Sequence, residues 1–216
     1  MSRMPLRLAL YSDVDHPGND AMHQRLLRLI GERRPRIGYV ASAPDPERRY
    51  FARTRDHYAD LGASLACYAD EHTDDDAFAA LLDCDALHLP GGETFEFLDW
   101  LQRRARLPAL RTYARERGVL VGVSAGAILM TPDIRSAAWC GDREDVALAD
   151  TRGLGLVSFS FLPHAGSAHE PVSVPTPDRL AGHASPLYAC PDASGLVLSG
   201  DALEVFGEPL VIRAPS

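Results

Sequence analysis

No apolar run in these 216 residues is long enough to cross a bilayer, so a membrane-spanning protein is not expected. Cysteine is scarce. Cys67, Cys84, Cys140 and Cys190 are widely spaced with no Cys-x-x-Cys pair, which argues for scattered thiols in a reducing compartment rather than a disulfide framework. Basic charge is in deficit, with 22 cationic against 30 acidic side chains and a net charge of −8, so a nucleic-acid surface is not expected. There is no His-Glu-x-x-His, no internal repeat and no low-complexity tract; neither a metal nor a cofactor is expected. Residues 1–7 lead directly into a strand-like run without an apolar leader and cleavage site, so the expectation is a soluble cytoplasmic protein.

What is present reads as one α/β domain over residues 1–216, a length that suits a single core. Apolar runs at 6–11, 36–41, 63–68, 85–89 and 118–123 read as strands. Between them, 19–32, 47–61, 74–82, 94–102 and 108–117 have helical patterning. Such alternation implies right-handed βαβ units and a mostly parallel sheet sandwiched by helices. Later the pattern loosens. Residues 156–161, 195–199, 202–206 and 210–212 read as strands, the last three forming an antiparallel meander at the C-terminal sheet edge. Residues 163–191, rich in Pro, Gly, Ser and His, read as a long loop with at most a short helix. Arg103, Arg104 and Arg106 read as an exposed helix end, and Asp13, Asp15 and His16 as a solvated turn.

Residues 118–127, Gly-Val-Leu-Val-Gly-Val-Ser-Ala-Gly-Ala, carry the chemistry. A buried strand ends on Ser124 between Gly122 and Gly126, and good helix formers follow. That is the context of a Gly-x-Ser-x-Gly nucleophile elbow, in which a strained turn keeps the hydroxyl exposed. The Ala125 N–H, at the helix start, would face a developing oxyanion. A serine nucleophile needs a base, and the base an orienting group. Of His164, His169 and His183, His164 directly follows a strand and a proline, at a strand's carboxyl end like Ser124. Carboxyl ends of parallel strands share one rim, where such folds place ligands. Asp192, after Pro191 and before the strand at 195–199, is the preferred carboxylate. Asp142, Glu144, Asp145 and Asp150 remain alternatives in an acidic segment. Pro90-Gly91-Gly92 follows another strand and would supply the second oxyanion N–H.

Taken together, Leu-Pro-Gly-Gly-Glu-Thr-Phe at 89–95, Gly-Val-Ser-Ala-Gly-Ala at 122–127 and Pro163-His164 resemble the S51 serine peptidase family, whose members include aspartyl dipeptidases and the related cyanophycinases. The resemblance runs from the first strand to about residue 212. It implies a fold similar to class I glutamine amidotransferases (flavodoxin-like), Ser124 as nucleophile, His164 as base, and Gly92 and Ala125 as oxyanion donors. A glutamate after proline in the family matches Asp192 here, a side chain one methylene shorter. An acid shortly after the elbow helix has an alternative claim to the third position; here Trp139 stands there, with Asp142 nearby. The family's arginine-rich helix is replaced by a shorter, proline-rich segment at 170–179 with Arg179 alone, which departs from what a strict N-terminal aspartate preference needs.

The resemblance therefore implies a serine peptidase acting on short peptides through an acyl-enzyme, with Gly91, Thr94 and Arg179 as further substrate contacts and a homodimer left open. Two other readings stand beside it. An α/β-hydrolase esterase would order its residues Ser, acid, His, recruiting Asp142 or Asp150. A non-catalytic ligand-binding relative would keep the elbow and lose turnover. A glutamine amidotransferase fits least, because the elbow residue is serine and not cysteine.

Overall fold

A computed structural model describes residues 4–167, 172 and 174–214. Five strands, β1 (Arg7–Tyr11), β2 (Arg36–Val40), β3 (Ser64–Ala69), β4 (Ala86–Leu89) and β5 (Val119–Val123), form the parallel part of a seven-stranded sheet. Two later strands, β8 (Gly195–Ser199) and β9 (Ala202–Phe206), complete it in the order β3-β2-β4-β5-β1-β8-β9. Both of these run antiparallel to their neighbours, as the sequence suggested for that edge. Helices α1 (Asp20–Ile30), α2 (Arg49–Asp60), α3 (Asp75–Leu81), α4 (Thr94–Arg103), α5 (Leu107–Glu116) and α6 (Ala125–Leu129) cover it.

The two-residue period of a strand decides which face each side chain takes. In β1, Leu8 and Leu10 join one buried cluster, with Phe78, Phe95, Leu101, Leu110 and Ile128 from α3 to α6. Ala9 and Tyr11 join the other, with Met22, Leu26 and Tyr58 from α1 and α2. Because both faces are covered, every residue of β5 is buried, which is why the run at 119–123 is unbroken by polar residues.

Three expectations need correction. The strand expected at 156–161 shrinks to β6 (Ser160–Leu162), outside the main sheet. Its start is held by another bond, the Leu156 N–H donating to the Met130 carbonyl, as the Leu154 N–H just before it does to the Leu129 carbonyl. The expected loop at 163–191 contains β7 (Leu187–Ala189) and a 3-10 turn at Pro177–Leu180. Finally, β10 (Leu210–Ile212) leaves the expected meander after Gly207 turns the chain at φ 69°, and pairs with β7. A second sheet results, ordered β10-β7-β6, with β6 and β7 parallel.

The arginines near α4 also differ from expectation. Arg103 pairs with Asp99 and Glu71, but Arg106 is buried, lying over the Phe78 ring and bonded to Asp75. Arg106 therefore joins α3 to the start of α5 instead of fraying into solvent.

Candidate active site

The site assembles at the rim where the parallel strands end. Tyr11 pairs with Val123 and Leu89 with Gly122, so β1, β4 and β5 finish together. Because β8 is antiparallel, its beginning reaches the same rim, Gly195 opposite Tyr11. Ser124 takes φ 49° and ψ −110° between β5 and α6. A non-glycine residue in such a conformation costs about 1–3 kcal/mol and persists only where its surroundings enforce it. Here they do: the Ser124 N–H donates to the Tyr11 carbonyl at 3.0 Å, and the Gly126 N–H to the Pro90 carbonyl at 3.1 Å. The two glycines allow the close approach. A Cβ on Gly126 would sit 2.0 Å from the Leu89 oxygen, and one on Gly122 would sit 2.5 Å from the Gly126 oxygen.

The second sheet brings the imidazole and carboxylate. β6 and β7 run parallel with Leu162 opposite Ala189, so His164 and Asp192 emerge from adjacent strand ends. His164 Nε2 is 3.0 Å from Ser124 Oγ, and His164 Nδ1 is 2.7 Å from Asp192 Oδ1. A carboxylate at Nδ1 fixes that nitrogen as the donor, which leaves Nε2 to accept the serine proton. Imidazole and carboxylate are each about one-quarter to one-third exposed (31% and 25%), so the group is reachable from solvent.

Ser12, just past β1, ties the two sheets together and was not singled out in the sequence. Fully buried, it donates from Oγ to the Cys190 carbonyl at 2.9 Å and accepts the His164 N–H at 2.8 Å. The same Cys190 carbonyl also accepts the Ala165 N–H. His164 itself has a left-handed φ of 57°, so this bond restrains a strained residue. Asn19 adds a brace, its amide donating to the Asp13 carbonyl at 2.5 Å and reaching the Asp192 carbonyl at 3.4 Å. A lone hydroxyl or amide beside a strand end carries no sequence signal of such distant partners.

Other candidate residues fall as follows. Asp142 is bonded to Thr94, from its N–H at 2.8 Å and its hydroxyl at 2.5 Å, and not to His164. Burial raises the Asp142 carboxyl above the usual aspartate range, and the two Thr94 bonds offset this in part. Thr94 is fully buried and its hydroxyl engaged, which corrects its expected role as a substrate contact. Asp150 lies half-buried against Arg152, whose hydrogen bonds pull its carboxyl down to about 2. Gly91 borders the serine: a Cβ there would stand 3.5 Å from Ser124 Cβ. Gly92 has φ 140°, and neither its N–H nor that of Ala125 donates to any acceptor among the described residues. Arg179 sits exposed in the 3-10 turn, its N–H donating to the Thr176 carbonyl at 3.0 Å; its guanidinium makes no hydrogen bond or ion pair among the described residues, and no contact links it to Ser124. His183 stacks on Trp139, with ring centroids 4.6 Å apart. His169 lies outside the described residues.

The sequence model of peptidase family S51 matches residues 8–206. The chain belongs to peptidase family S51. Within that family it is 31% identical over 140 residues to Peptidase E of Streptomyces coelicolor, a stretch covering 62% of this chain and 55% of that protein. It is 30% identical over 122 residues to Peptidase E of Citrobacter koseri, covering 55% of this chain and 49% of the relative. The matched stretch thus spans about half the length of these curated relatives. The 1.5 Å crystal structure of a Listeria monocytogenes EGD-e protein superposes with a TM-score of 0.73 at 20% identity, covering 97% of this chain and 100% of that one. That likeness shows the fold. Among the described residues no helix is long and apolar enough to cross a membrane, and no group of three or more His, Cys, Asp or Glu residues is placed to hold a metal ion.

Proposed function

We propose that this S51 member is a serine peptidase that hydrolyses short peptides through an acyl-enzyme. The observation that carries the reading is the unbroken succession of hydroxyl, imidazole and carboxylate, with spacings of 3.0 and 2.7 Å. Ser124 Oγ attacks the scissile carbonyl carbon while its proton passes to His164 Nε2. Asp192 stabilises the imidazolium through Nδ1–H. The carbonyl oxygen, now an oxyanion, meets the unengaged N–H groups of Gly92 and Ala125. Collapse breaks the C–N bond as His164 returns its proton to the leaving amine. Water, deprotonated by the same imidazole, then releases the acid and restores Ser124.

The chemistry of the other residues supports this assignment. The 22 cationic side chains are all arginine, so a serine–lysine pair has no residue from which to be built. The esterase order would need Asp142 or Asp150 on the imidazole, and both are bonded elsewhere. Turnover of a dipeptide panel by wild type and Ser124→Ala tests the proposal. Alanine fits where serine stood, so the variant is expected to fold and lose hydrolysis; hydrolysis persisting at the wild-type rate would refute it.

A further inference from the structure

A cavity of about 410 Å³ opens beside the elbow, within the range of about 300–1,000 Å³ usual for ligand pockets. Gly91, Gly92 and Val123, the residue before Ser124, form one wall. A side chain of the peptide residue whose carbonyl faces Gly92 and Ala125 has this cavity as its neighbouring space. What that side chain is follows from the rest of the lining, which is anionic and aromatic.

Asp13, Asp15, Asp45, Glu93 and Glu96 bring five carboxylates to the cavity, against one guanidinium, Arg53. Arg53 is already paired with Asp15 at 2.8 Å. Asp45 caps α2, its two oxygens accepting the Arg49 and Tyr50 N–H groups. The Glu93 carboxylate accepts the Arg143 N–H with one oxygen only, and the Glu96 carboxylate makes no hydrogen bond or ion pair among the described residues. Two α4-end carboxylates therefore face the cavity with acceptor capacity unused. The exposed ring of Tyr50 lines it too, and a tyrosine face attracts a cation through its quadrupole; Tyr39 also borders the cavity, but its ring is stacked on Tyr68 and His88. Such a lining repels a carboxylate and holds an ammonium or guanidinium.

We propose that this cavity is the side-chain pocket for the residue whose carbonyl Ser124 attacks, that it selects arginine or lysine over aspartate, and that Glu96 is its main specificity-determining residue. The proposal rests on the hydrolytic reading of Ser124. Hydrolysis of Arg-Leu, Lys-Leu, Leu-Leu and Asp-Leu by wild type, Glu96→Gln and Glu96→Arg tests it. Wild type is expected to favour Arg-Leu over Leu-Leu by about tenfold in kcat/KM and to disfavour Asp-Leu; Glu96→Gln removes about tenfold from the Arg-Leu to Leu-Leu ratio, and Glu96→Arg shifts the ratio towards Asp-Leu. A wild-type preference for Asp-Leu, or an equal effect of Glu96→Gln on every substrate, overturns the pocket assignment while the peptidase reading stands. If no dipeptide is cleaved and a fluorophosphonate leaves Ser124 unlabelled, the peptidase reading fails instead. Calorimetry with arginine amide then decides the pocket: binding weakened by Glu96→Gln supports it, and absent or unaltered binding overturns it.

Discussion

Replacing Ser12 with alanine removes one oxygen that serves two sheets at once. Its loss leaves the His164 N–H without an acceptor, while the Cys190 carbonyl keeps the Ala165 N–H at 3.0 Å. The cost is therefore mainly one unpaired buried donor, about 1–3 kcal/mol. That equals the strain of a non-glycine residue at positive φ, also about 1–3 kcal/mol, which the same bond restrains. The lost bond is thus large enough to let His164 relax out of its left-handed conformation. For a chain of this size about 2–4 °C accompanies each kcal/mol, so Tm is expected to fall by about 2–12 °C. A displacement of the imidazole on the order of 1 Å is expected to lower kcat by about 10–100-fold. KM should change little, because Ser12 is buried and touches no substrate. Thermal melts and steady-state dipeptide hydrolysis of Ser12→Ala read both effects. Wild-type Tm together with wild-type kcat would refute the claim that this hydroxyl positions His164.

Three further outcomes follow from the same geometry. Asp192→Asn presents an amide where Nδ1–H needs an anion, and kcat is expected to drop about 10³–10⁴-fold, whereas Asp142→Ala should keep kcat within about tenfold while losing about 1–3 kcal/mol of stability by stranding Thr94. Equal kinetic losses in the two variants would count against Asp192. Gly126→Ala drives a Cβ to 2.0 Å from the Leu89 oxygen, so urea unfolding should register a loss of about 3 kcal/mol or more; a wild-type midpoint would contradict the elbow packing. Burial presses His88 down to about 3, and the same cause lowers His23 and His57. A depressed histidine makes the unfolded chain the better proton binder, so stability is complete above the unfolded value near 6.5 and is lost as pH falls towards 3, by as much as about 5 kcal/mol from His88 alone. Urea titrations at pH 7 and pH 4 check this, with equal stabilities counting against it.

The main sheet was readable because its central strands are buried on both faces and its helices are patterned, as in the run at 119–123 and in α1. Ser124, His164 and Asp192 were readable because each stands next to punctuation: a glycine pair, or a preceding proline. How the last two meet was not. A single parallel sheet would carry His164 on its own rim, whereas a second sheet carries it, and β7 in that sheet is a three-residue strand, Leu187–Ala189, too short to show a period. Ser12 bonds to a residue 152 positions away, a separation no local pattern encodes. Arg106 looked like a solvated helix end because its partners, Phe78 and Asp75, come from α3.

The most direct test of the central claim is covalent: treat the protein with a fluorophosphonate, measure the adduct by intact mass, and map it by peptide sequencing. One phosphonyl group per chain on Ser124 is expected, with labelling strongly slowed in His164→Ala. A label at another serine, or none on a folded chain, would contradict an activated hydroxyl at the elbow.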